Sequence, residues 1–269
     1  MNFSIKRPYF FIFPLALFCL QKPLDSKIKA VFWSNPTIIG QNRLDLIGKI
    51  GYLEGLMNIT RAGTIQDEIF DKITKKFGRQ TQQYKVNDPA TNDPLPGLMR
   101  LWLTGEKSVE QVKKDALSLF TGDSFATKII DLAFTPKEFL SVSSVIEDAF
   151  KLLKRFQPHV IHILASNYAP ASYKELENSK IGKRVLPSFK HIYNSGTLDD
   201  QHRGIVLQDP AFFKFIMNDL HLKPEECLVI NSDPQVIAAA KSLGMHTIEH
   251  PYKDSSTIKK QLKQMHLIS

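Results

Sequence analysis

Residues 27–39, KIKAVFWSNPTII, decide the fold of this 269-residue chain. Residues 30–33 (AVFW) are all apolar, and a polar turn with a proline, Ser34-Asn35-Pro36, follows at once. This pattern predicts a buried β-strand that ends in a sharp turn. An isolated strand would leave its backbone groups unpaired, so this strand must join a sheet formed with later parts of the chain.

The second half of the chain supplies that sheet. Apolar runs predict strands at residues 159–165 (HVIHILA), 191–194 (HIYN), 227–230 (CLVI) and 246–249 (HTIE). Helical segments separate them, and the segment after the third run stops at Gly244, which is typical of the residue that follows a helix. Short apolar strands alternating with helices predict an α/β fold, a Rossmann-like parallel sheet with helices on both faces.

Residues 40–156 have a helical pattern instead. A capping box at residues 108–111 (SVEQ) predicts a helix through Phe120. A second capping pattern at residues 135–138 (TPKE), with proline at the first helical position, predicts a long helix to Phe156. We interpret residues 40–156 as an inserted α-helical cap.

The remaining ranges complete the predicted organisation. Residues 27–39 and 157–269 form the α/β core. In residues 1–26, Lys6 and Arg7 precede an apolar run at residues 9–20 (YFFIFPLALFCL), the pattern of a signal peptide or a hydrophobic anchor. This predicts an exported protein, periplasmic, secreted or attached to a membrane through its N-terminus. The alternative is a buried N-terminal segment.

The charge pattern bears on nucleic-acid binding, and the cysteine content bears on thiol chemistry. The net charge is +8, and the densest run, KKQLK at residues 259–263, lies on a helix-like segment without interleaved aromatic residues. It is therefore read as a solvated helix face, and no nucleic-acid partner is expected. Cys227 starts an apolar strand, where a buried and inert thiol is expected, and it is the only cysteine left if a signal peptide is removed.

The order of these segments resembles the haloacid dehalogenase-like (HAD-like) superfamily of hydrolases, in which a helical cap follows the first strand. The resemblance covers about residues 28–250 and is strongest in two stretches: residues 164–176 (LASNYAPASYKEL) and residues 204–248. It implies phosphatase-type chemistry at the carboxyl ends of the strands, with an aspartate nucleophile, an acid/base aspartate, a lysine and acidic ligands for magnesium.

This sequence departs from the family at each of those positions. Trp33 stands at the nucleophile position, Asn35 at the acid/base position and Leu207 at the lysine position. An indole has no lone pair suited to attack on phosphorus. Asparagine has no proton to transfer at neutral pH, and loss of acid/base help typically costs about 10²–10⁴-fold in rate.

The metal positions have changed as well. Asn231 and Ser232 stand where the family has acidic residues, and Asp233 is acidic but displaced by one place. Magnesium prefers carboxylate oxygens and gives up its water reluctantly. The resemblance, together with these departures, therefore implies no cofactor and no stable magnesium site. Because the carboxylates and the lysine are lost together, the site keeps no unbalanced charge from the family's set.

Polar groups at the strand ends still allow a ligand. Ser166 keeps its family identity, and Asn167, Asn35 and Asp233 can also form hydrogen bonds. Backbone N–H groups at a helix start favour anions, so a small anionic ligand is one candidate and a protein partner is another. The structural alternatives are helix capping by Ser166 and Asn167, and a Trp33 side chain that fills the space left by substrate and metal.

Three hypotheses follow. The first is a catalytically inactive HAD-like protein that acts by binding a ligand or a partner. The second is a divergent phosphate-ester hydrolase that uses another set of residues, such as Asp233, Ser166 and the Asp199-Asp200 loop. The third is a structural or interaction protein whose cleft is plugged by Trp33.

Overall fold

The computed structural model describes residues 28–41, 45, 48–49, 97–156, 158–251 and 253–268. The predicted N-terminal segment, residues 1–26, lies outside the described residues, as does much of the first half of the predicted insertion. Within the described ranges no helix has the length and apolar character needed to cross a membrane.

A five-stranded parallel sheet forms the centre of the molecule. Its strands are β1 (Ala30–Trp33), β4 (Ile161–Ser166), β5 (His191–Asn194), β6 (Cys227–Asn231) and β7 (His246–Glu249). They lie in the order β5-β4-β1-β6-β7, so the first strand is in the middle. There Trp33 is opposite Leu164 on one side and Ile230 on the other. The predicted parallel sheet is confirmed.

Both faces of this sheet are covered by helices, which is why every residue of β1 is buried. Val31 and Trp33 belong to one core cluster, and Ala30 and Phe32 to the other. The first face packs against helices α6 (Glu147–Leu153), α7 (Pro170–Asn178), α8 (Lys180–Val185) and α11 (Ser255–Gln264). The second face packs against α9 (Pro210–Asp219) and α10 (Pro234–Ser242).

Local sequence signals set the limits of the helices in this half. Asp233 caps α10, since its side chain accepts a hydrogen bond from the backbone N–H of Gln235. After α10 the backbone at Gly244 has a φ of +83°, a left-handed conformation that suits glycine at this position. The predicted stop at Gly244 is confirmed.

The predicted helical insertion, residues 40–156, follows the first strand. A short helix α1 (Asn35–Ile38) leads into β2 (Ile39–Gln41), which pairs antiparallel with β3 (Ser143–Val145). Between β2 and β3 lie α2 (Gly97–Leu103), α3 (Val109–Leu117), α4 (Ser124–Ala133) and α5 (Pro136–Ser141). The capping box at the start of α3 is confirmed: Ser108 Oγ accepts from the Gln111 N–H at 3.3 Å, and Gln111 Oε1 accepts from the Ser108 N–H at 3.2 Å.

The predicted long helix from residue 135 to residue 156 is wrong. It is divided into α5 and α6, because residues Ser143–Val145 form β3 and pair with β2. The Thr135 side chain makes no capping hydrogen bond, although proline does occupy the start of α5. Helix α6 then packs on the sheet through Phe150 and Leu153, so the last helix of the range 40–156 contributes to the core around the sheet.

Candidate functional site

The candidate site lies where the carboxyl ends of β4, β1 and β6 meet. In an open α/β sheet this is the edge at which ligands bind, next to the strand where the order reverses. The structure brings Trp33, Leu207 and Asn231, three of the substituted family positions, together with Ser34 around one narrow crevice. This crevice has no room for a water molecule. The substituted positions therefore converge, but around a closed space.

Trp33 is anchored in the core beside the crevice. Its side chain is fully buried, and its indole N–H donates a hydrogen bond to His162 Nδ1 at 3.1 Å. The indole meets Phe156 edge-on, with ring centroids 5.9 Å apart. These contacts lie in the core cluster of the α6 face of the sheet. Trp33 is thus a packing residue with a specific hydrogen-bond partner.

His162 provides that partner because it is held neutral. Burial lowers the pKa of His162 to about 4, while a hydrogen bond with the Leu153 backbone acts weakly in the opposite direction. The Nδ1 atom can accept from the Trp33 indole only when it carries no proton, so the ring proton lies on Nε2. His162 is thus a hydrogen-bonded histidine beside the core.

The half-buried His162 should make the stability of the protein depend on pH. Its pKa in the folded protein, about 4, is below the ordinary value of 6.5, so the unfolded chain takes up a proton first as the pH falls. The free energy of unfolding should therefore fall by up to about 3 kcal/mol between pH 6.5 and pH 4, and should not depend on this group above that window. Urea unfolding followed by circular dichroism at several pH values measures the effect.

The control for this prediction is His162→Gln, which keeps an oxygen that can accept from the Trp33 indole. The variant should show a flatter decline below pH 6.5 than the parent protein. The lowered pKa of His250, also caused mainly by burial, acts in both proteins and cancels in the comparison. Identical slopes for parent and variant would contradict the assignment to His162.

A continuous chain of hydrogen bonds joins the polar groups at the strand ends. Asn231 Oδ1 accepts from the Asp233 N–H at 2.8 Å, and Asp233 Oδ2 accepts from Gln208 Nε2 at 2.9 Å. Gln208 Oε1 in turn accepts from Asn167 Nδ2 at 2.7 Å, and Asn167 Oδ1 accepts from the Leu207 N–H at 2.8 Å. We call these five residues the strand-end network. It ties β4, the loop before α9 and β6 to one another.

Ser166 is also engaged within the protein. Its side chain is buried, and its hydroxyl donates to Asn194 Oδ1 at 3.3 Å. The same Asn194 amide binds the backbone of Tyr168 twice, accepting from its N–H at 2.6 Å and donating to its carbonyl at 2.9 Å. Ser166 therefore helps to fix the turn between β4 and α7.

Most of the side chains at the strand ends that could bind a metal ion are neutral. Among the predicted site residues, Asp233 is the one carboxylate, and both of its oxygens accept hydrogen bonds, from Gln208 and from the Gln235 backbone. Ser232 is half-buried beside it. In the part of the chain that the structure describes, no group of three histidine, cysteine, aspartate or glutamate side chains could hold a metal ion.

The architecture can be compared with known proteins. No family model matches the sequence, and no curated protein matches it. Among solved structures, a predicted HAD-like family hydrolase from Porphyromonas gingivalis aligns with a TM-score of 0.53 and 19% identity, over 88% of this chain and 98% of that one. The chain has a HAD-like fold. A HAD family enzyme from Bacteroides thetaiotaomicron, solved as a magnesium complex, aligns with a TM-score of 0.51 and 16% identity, over 84% of this chain and 94% of that one.

These similarities confirm the fold that the sequence resemblance implied. At such identities they show a shared architecture, and a shared architecture does not by itself assign an activity. The HAD-like fold places the strand-end residues of this chain at the carboxyl edge of the sheet, where ligands bind in open α/β folds. The chemistry there depends on this chain's own side chains.

Asn35, at the acid/base position of the HAD-like fold, differs from the other candidate residues. It is only 4% exposed, and neither its amide nitrogen nor its amide oxygen has a hydrogen-bond partner within the described ranges. Leaving buried polar groups unpaired costs about 1–3 kcal/mol each. Asn35 is thus the predicted ligand-binding residue whose hydrogen-bonding groups remain available.

A second polar chain at the end of β1 was not found from the sequence. Ser34 Oγ and Thr37 Oγ1 are 3.0 Å apart, and Thr37 Oγ1 is 3.1 Å from His250 Nε2. The other nitrogen of His250, Nδ1, lies 2.9 Å from the Pro251 carbonyl oxygen and donates to it. Thr37 and His250 are 213 residues apart in sequence, so no local motif links them. We call this the Ser34–Thr37–His250 chain.

Arg100 was also missed, and it fixes the loop that carries Leu207. Its guanidinium donates two hydrogen bonds to Asp209, each 3.0 Å long, and a third to the Gly204 carbonyl. Asp209 Oδ2 also accepts from the Val206 N–H at 2.9 Å. Arg100 is 1% exposed. In the sequence, Asp209 precedes Pro210, a pattern that indicates the start of a helix. This pattern does not indicate an ion pair between α2 and the loop.

The Asp199-Asp200 loop does not join the crevice. Asp199 pairs with His202 at 2.7 Å, and Asp200 pairs with Arg203 at 2.9 Å. The hydrogen bond from His202 is the main reason why the pKa of Asp199 is lowered. Both carboxylates are exposed, and neither lines the crevice. The second hypothesis therefore loses this loop, which is a solvated turn.

Proposed function

We propose that this HAD-like protein is catalytically inactive and acts by binding a partner, with a closed crevice in place of an active site. One observation carries the proposal. Three substituted family positions, Trp33, Leu207 and Asn231, line a crevice without room for water. The polar residues bonded to Leu207 and Asn231 are in turn hydrogen-bonded to one another through Gln208. Phosphate-ester hydrolysis needs both a water molecule and a phosphoryl group in the crevice.

The chemical character of the lining residues supports inactivity. Hydrolysis through a phospho-enzyme needs a carboxylate nucleophile, and the position at the end of β1 is occupied by the indole of Trp33. The developing negative charge needs a cation, and Leu207 is buried at the position of the family's lysine. Asp233 alone offers a charge, and it is used to cap α10 and to bind Gln208. We propose no magnesium site here.

The strand-end network also bears on the kind of partner. An anion bound by Asn167, Gln208 or Asp233 would have to replace the hydrogen bonds that join these residues, and each such bond contributes about 0.5–1.5 kcal/mol. A small ligand would have to offset that loss with few available donors, of which the Asn35 amide is one. A macromolecular partner that binds the outer surface faces no such cost. The geometry therefore favours a partner over a small ligand.

A second candidate function is a divergent hydrolase, and the Ser34–Thr37–His250 chain favours it. Ser34 lines the crevice, and its hydroxyl can pass a proton to Thr37 while Thr37 passes its own proton to neutral His250. Attack of Ser34 Oγ on an ester carbonyl would then form an acyl-enzyme and release the alcohol, which leaves with a proton from His250. The crevice would have to open for such a substrate.

One set of assays separates the two candidates. Purified protein is tested with phosphate esters and carboxylic esters, with and without Mg²⁺, and its thermal unfolding is measured with Mg²⁺, inorganic phosphate or vanadate. The expected result is no turnover above background and no shift in the melting temperature, because neither a nucleophilic carboxylate nor a cation site is available.

Matched variants identify the residues responsible if turnover is observed. Mg²⁺-dependent phosphatase activity that disappears in Asn35→Ala or Asp233→Asn would overturn the proposal of inactivity. Metal-independent ester hydrolysis that disappears in Ser34→Ala, but persists in Ser166→Ala, would instead establish the second candidate. Ser166 serves as the control because it is an equally buried serine whose hydroxyl is bonded to Asn194.

A further inference from the structure

The edge of the sheet opposite the crevice is a separate surface. Because all five strands are parallel, their amino ends lie together at that edge. Lys29 marks its centre: its backbone N–H donates to the Glu226 carbonyl at 2.8 Å, and its own carbonyl accepts from the Ile161 N–H at 2.8 Å. The starts of β1, β4 and β6 are thus joined around Lys29. We call this surface the amino face.

The amino face is rich in exposed cations. Lysines precede the strands or lie in the last turns of the helices that return to this edge. The exposed lysines of the described amino face are Lys29, Lys154, Lys190, Lys223, Lys241 and Lys263. Half-buried Arg155 and exposed His159, His221 and His266 lie at the same edge.

Carboxylates at this edge are fewer and partly engaged. Glu226 pairs with Lys29 at 2.6 Å, and Asp219 accepts a hydrogen bond from the Tyr193 hydroxyl. Glu175, Glu177 and Glu225 are exposed there. The six lysines and Arg155 outnumber these five carboxylates, so within the described part of the chain the amino face carries a net positive charge. It is therefore complementary to an anionic surface.

The course of the chain supplies the second argument. Ile28 and Lys29 lead into β1, so the chain that precedes them reaches the fold at the amino face. That preceding chain contains the apolar run at residues 9–20, with Lys6 and Arg7 before it. From residue 20 to residue 28 a fully extended chain spans at most about 28 Å. A lipid-inserted run at residues 9–20 would hold the amino face close to the membrane surface.

We propose that the amino face lies against an anionic membrane surface and that the crevice faces away from it. The proposal uses the predicted N-terminal anchor together with the charge of the folded part. Lysines near an anionic lipid surface each strengthen binding by about fivefold, and the effect fades beyond a distance of about 8 Å in physiological salt. The proposed orientation does not depend on whether the crevice is catalytic. A turnover assay therefore tests the proposed function, and a membrane-orientation assay tests this proposal.

Lysine footprinting of the full-length chain tests the orientation directly. An amine-reactive reagent is applied in solution, on phosphatidylcholine vesicles and on vesicles that also contain phosphatidylglycerol, and labelling is read by mass spectrometry. Lys190, Lys223 and Lys241 should lose reactivity on the anionic vesicles. Lys114 and Lys137 are exposed lysines of the helical insertion, which leaves the sheet at the carboxyl end of β1, and they should keep theirs. Equal labelling of both groups on vesicles would overturn the proposal.

A charge-reversal pair tests the energetic contribution. Lys190→Glu with Lys223→Glu should weaken sedimentation with anionic vesicles by about tenfold or more, and 1 M salt should remove the difference. The control pair, Lys114→Glu with Lys137→Glu, changes the net charge equally and should have little effect. Equal losses for the two pairs would show that net charge alone matters and would overturn the proposal. Preferential binding of a double-stranded DNA probe over vesicles, lost in the first pair, would overturn it in favour of a nucleic-acid surface.

Discussion

Replacing Arg100 by alanine should lower the free energy of unfolding by about 3–5 kcal/mol, because it leaves the Asp209 carboxylate buried without its cation. In the folded protein Arg100 is 1% exposed and Asp209 is 8% exposed, and two hydrogen bonds of 3.0 Å join them. The loss also frees the Gly204 carbonyl and loosens the loop that carries Leu207. Urea unfolding followed by circular dichroism measures the change.

The chain offers a matched control for this prediction. Arg184 and Glu147 form the same two-bond arrangement, at 2.6 and 2.7 Å, but their side chains are 50% and 48% exposed. Solvent screens that pair, so Arg184→Ala should leave stability nearly unchanged. Replacing Arg100 and Asp209 together with methionine and leucine should cost less than Arg100→Ala, because no buried charge is left unpaired. An Arg100→Ala protein as stable as Arg184→Ala would show that the buried pair is dispensable.

The second large effect is expected at Trp33. Trp33→Ala should destabilise the protein by about 3–5 kcal/mol, since it removes a fully buried indole that contacts both Phe156 and His162. Trp33→Asp, which introduces the residue of the HAD-like nucleophile position, should destabilise it at least as much. A carboxylate there would be buried next to apolar groups, with Leu207 in place of the family's lysine. No phosphatase activity should appear in Trp33→Asp.

Two conservative variants isolate the hydrogen bond of the indole. Trp33→Phe removes an N–H that donates to His162 Nδ1 and leaves that nitrogen unpaired. Trp102→Phe removes an N–H that is buried without a partner in the described structure, while Phe134 still contacts the ring. Trp33→Phe should therefore be clearly more destabilising than Trp102→Phe. If a stable Trp33→Asp protein bound Mg²⁺ and hydrolysed phosphate esters, the crevice would not be closed in the way we infer.

If the protein is inactive as proposed, the polar groups at the strand ends show how a HAD-like fold can remain stable without catalysis. Asn167, Gln208 and Asp233 form hydrogen bonds with each other. Such a network stabilises the loop before α9 and at the same time fills the hydrogen-bonding capacity of its members. Asn35 is outside this network. Its unpaired side-chain amide could still form hydrogen bonds with a ligand.

Much of the fold was predictable because its signals are local. Apolar runs marked β1, β4, β5, β6 and β7, and the capping box at Ser108 and the glycine at position 244 marked helix ends. These patterns depend on neighbours a few residues away, so the sequence displays them directly. The failed prediction of one helix from residue 135 to residue 156 shows the limit. Residues Ser143–Val145 leave the helical pattern because β2, far away in sequence, pairs with them.

For the candidate site, the sequence by itself determined which chemical groups are missing: Trp33, Asn35, Leu207, Asn231 and Ser232 stand where the resemblance implied two aspartates, a lysine and metal-binding carboxylates. Only the tertiary structure decided what the remaining groups do. The pairs Arg100–Asp209 and Thr37–His250 join residues 109 and 213 positions apart. A hydrogen bond depends on distances of about 3 Å, and such distances between remote residues exist only after the sheet has brought the strand ends together.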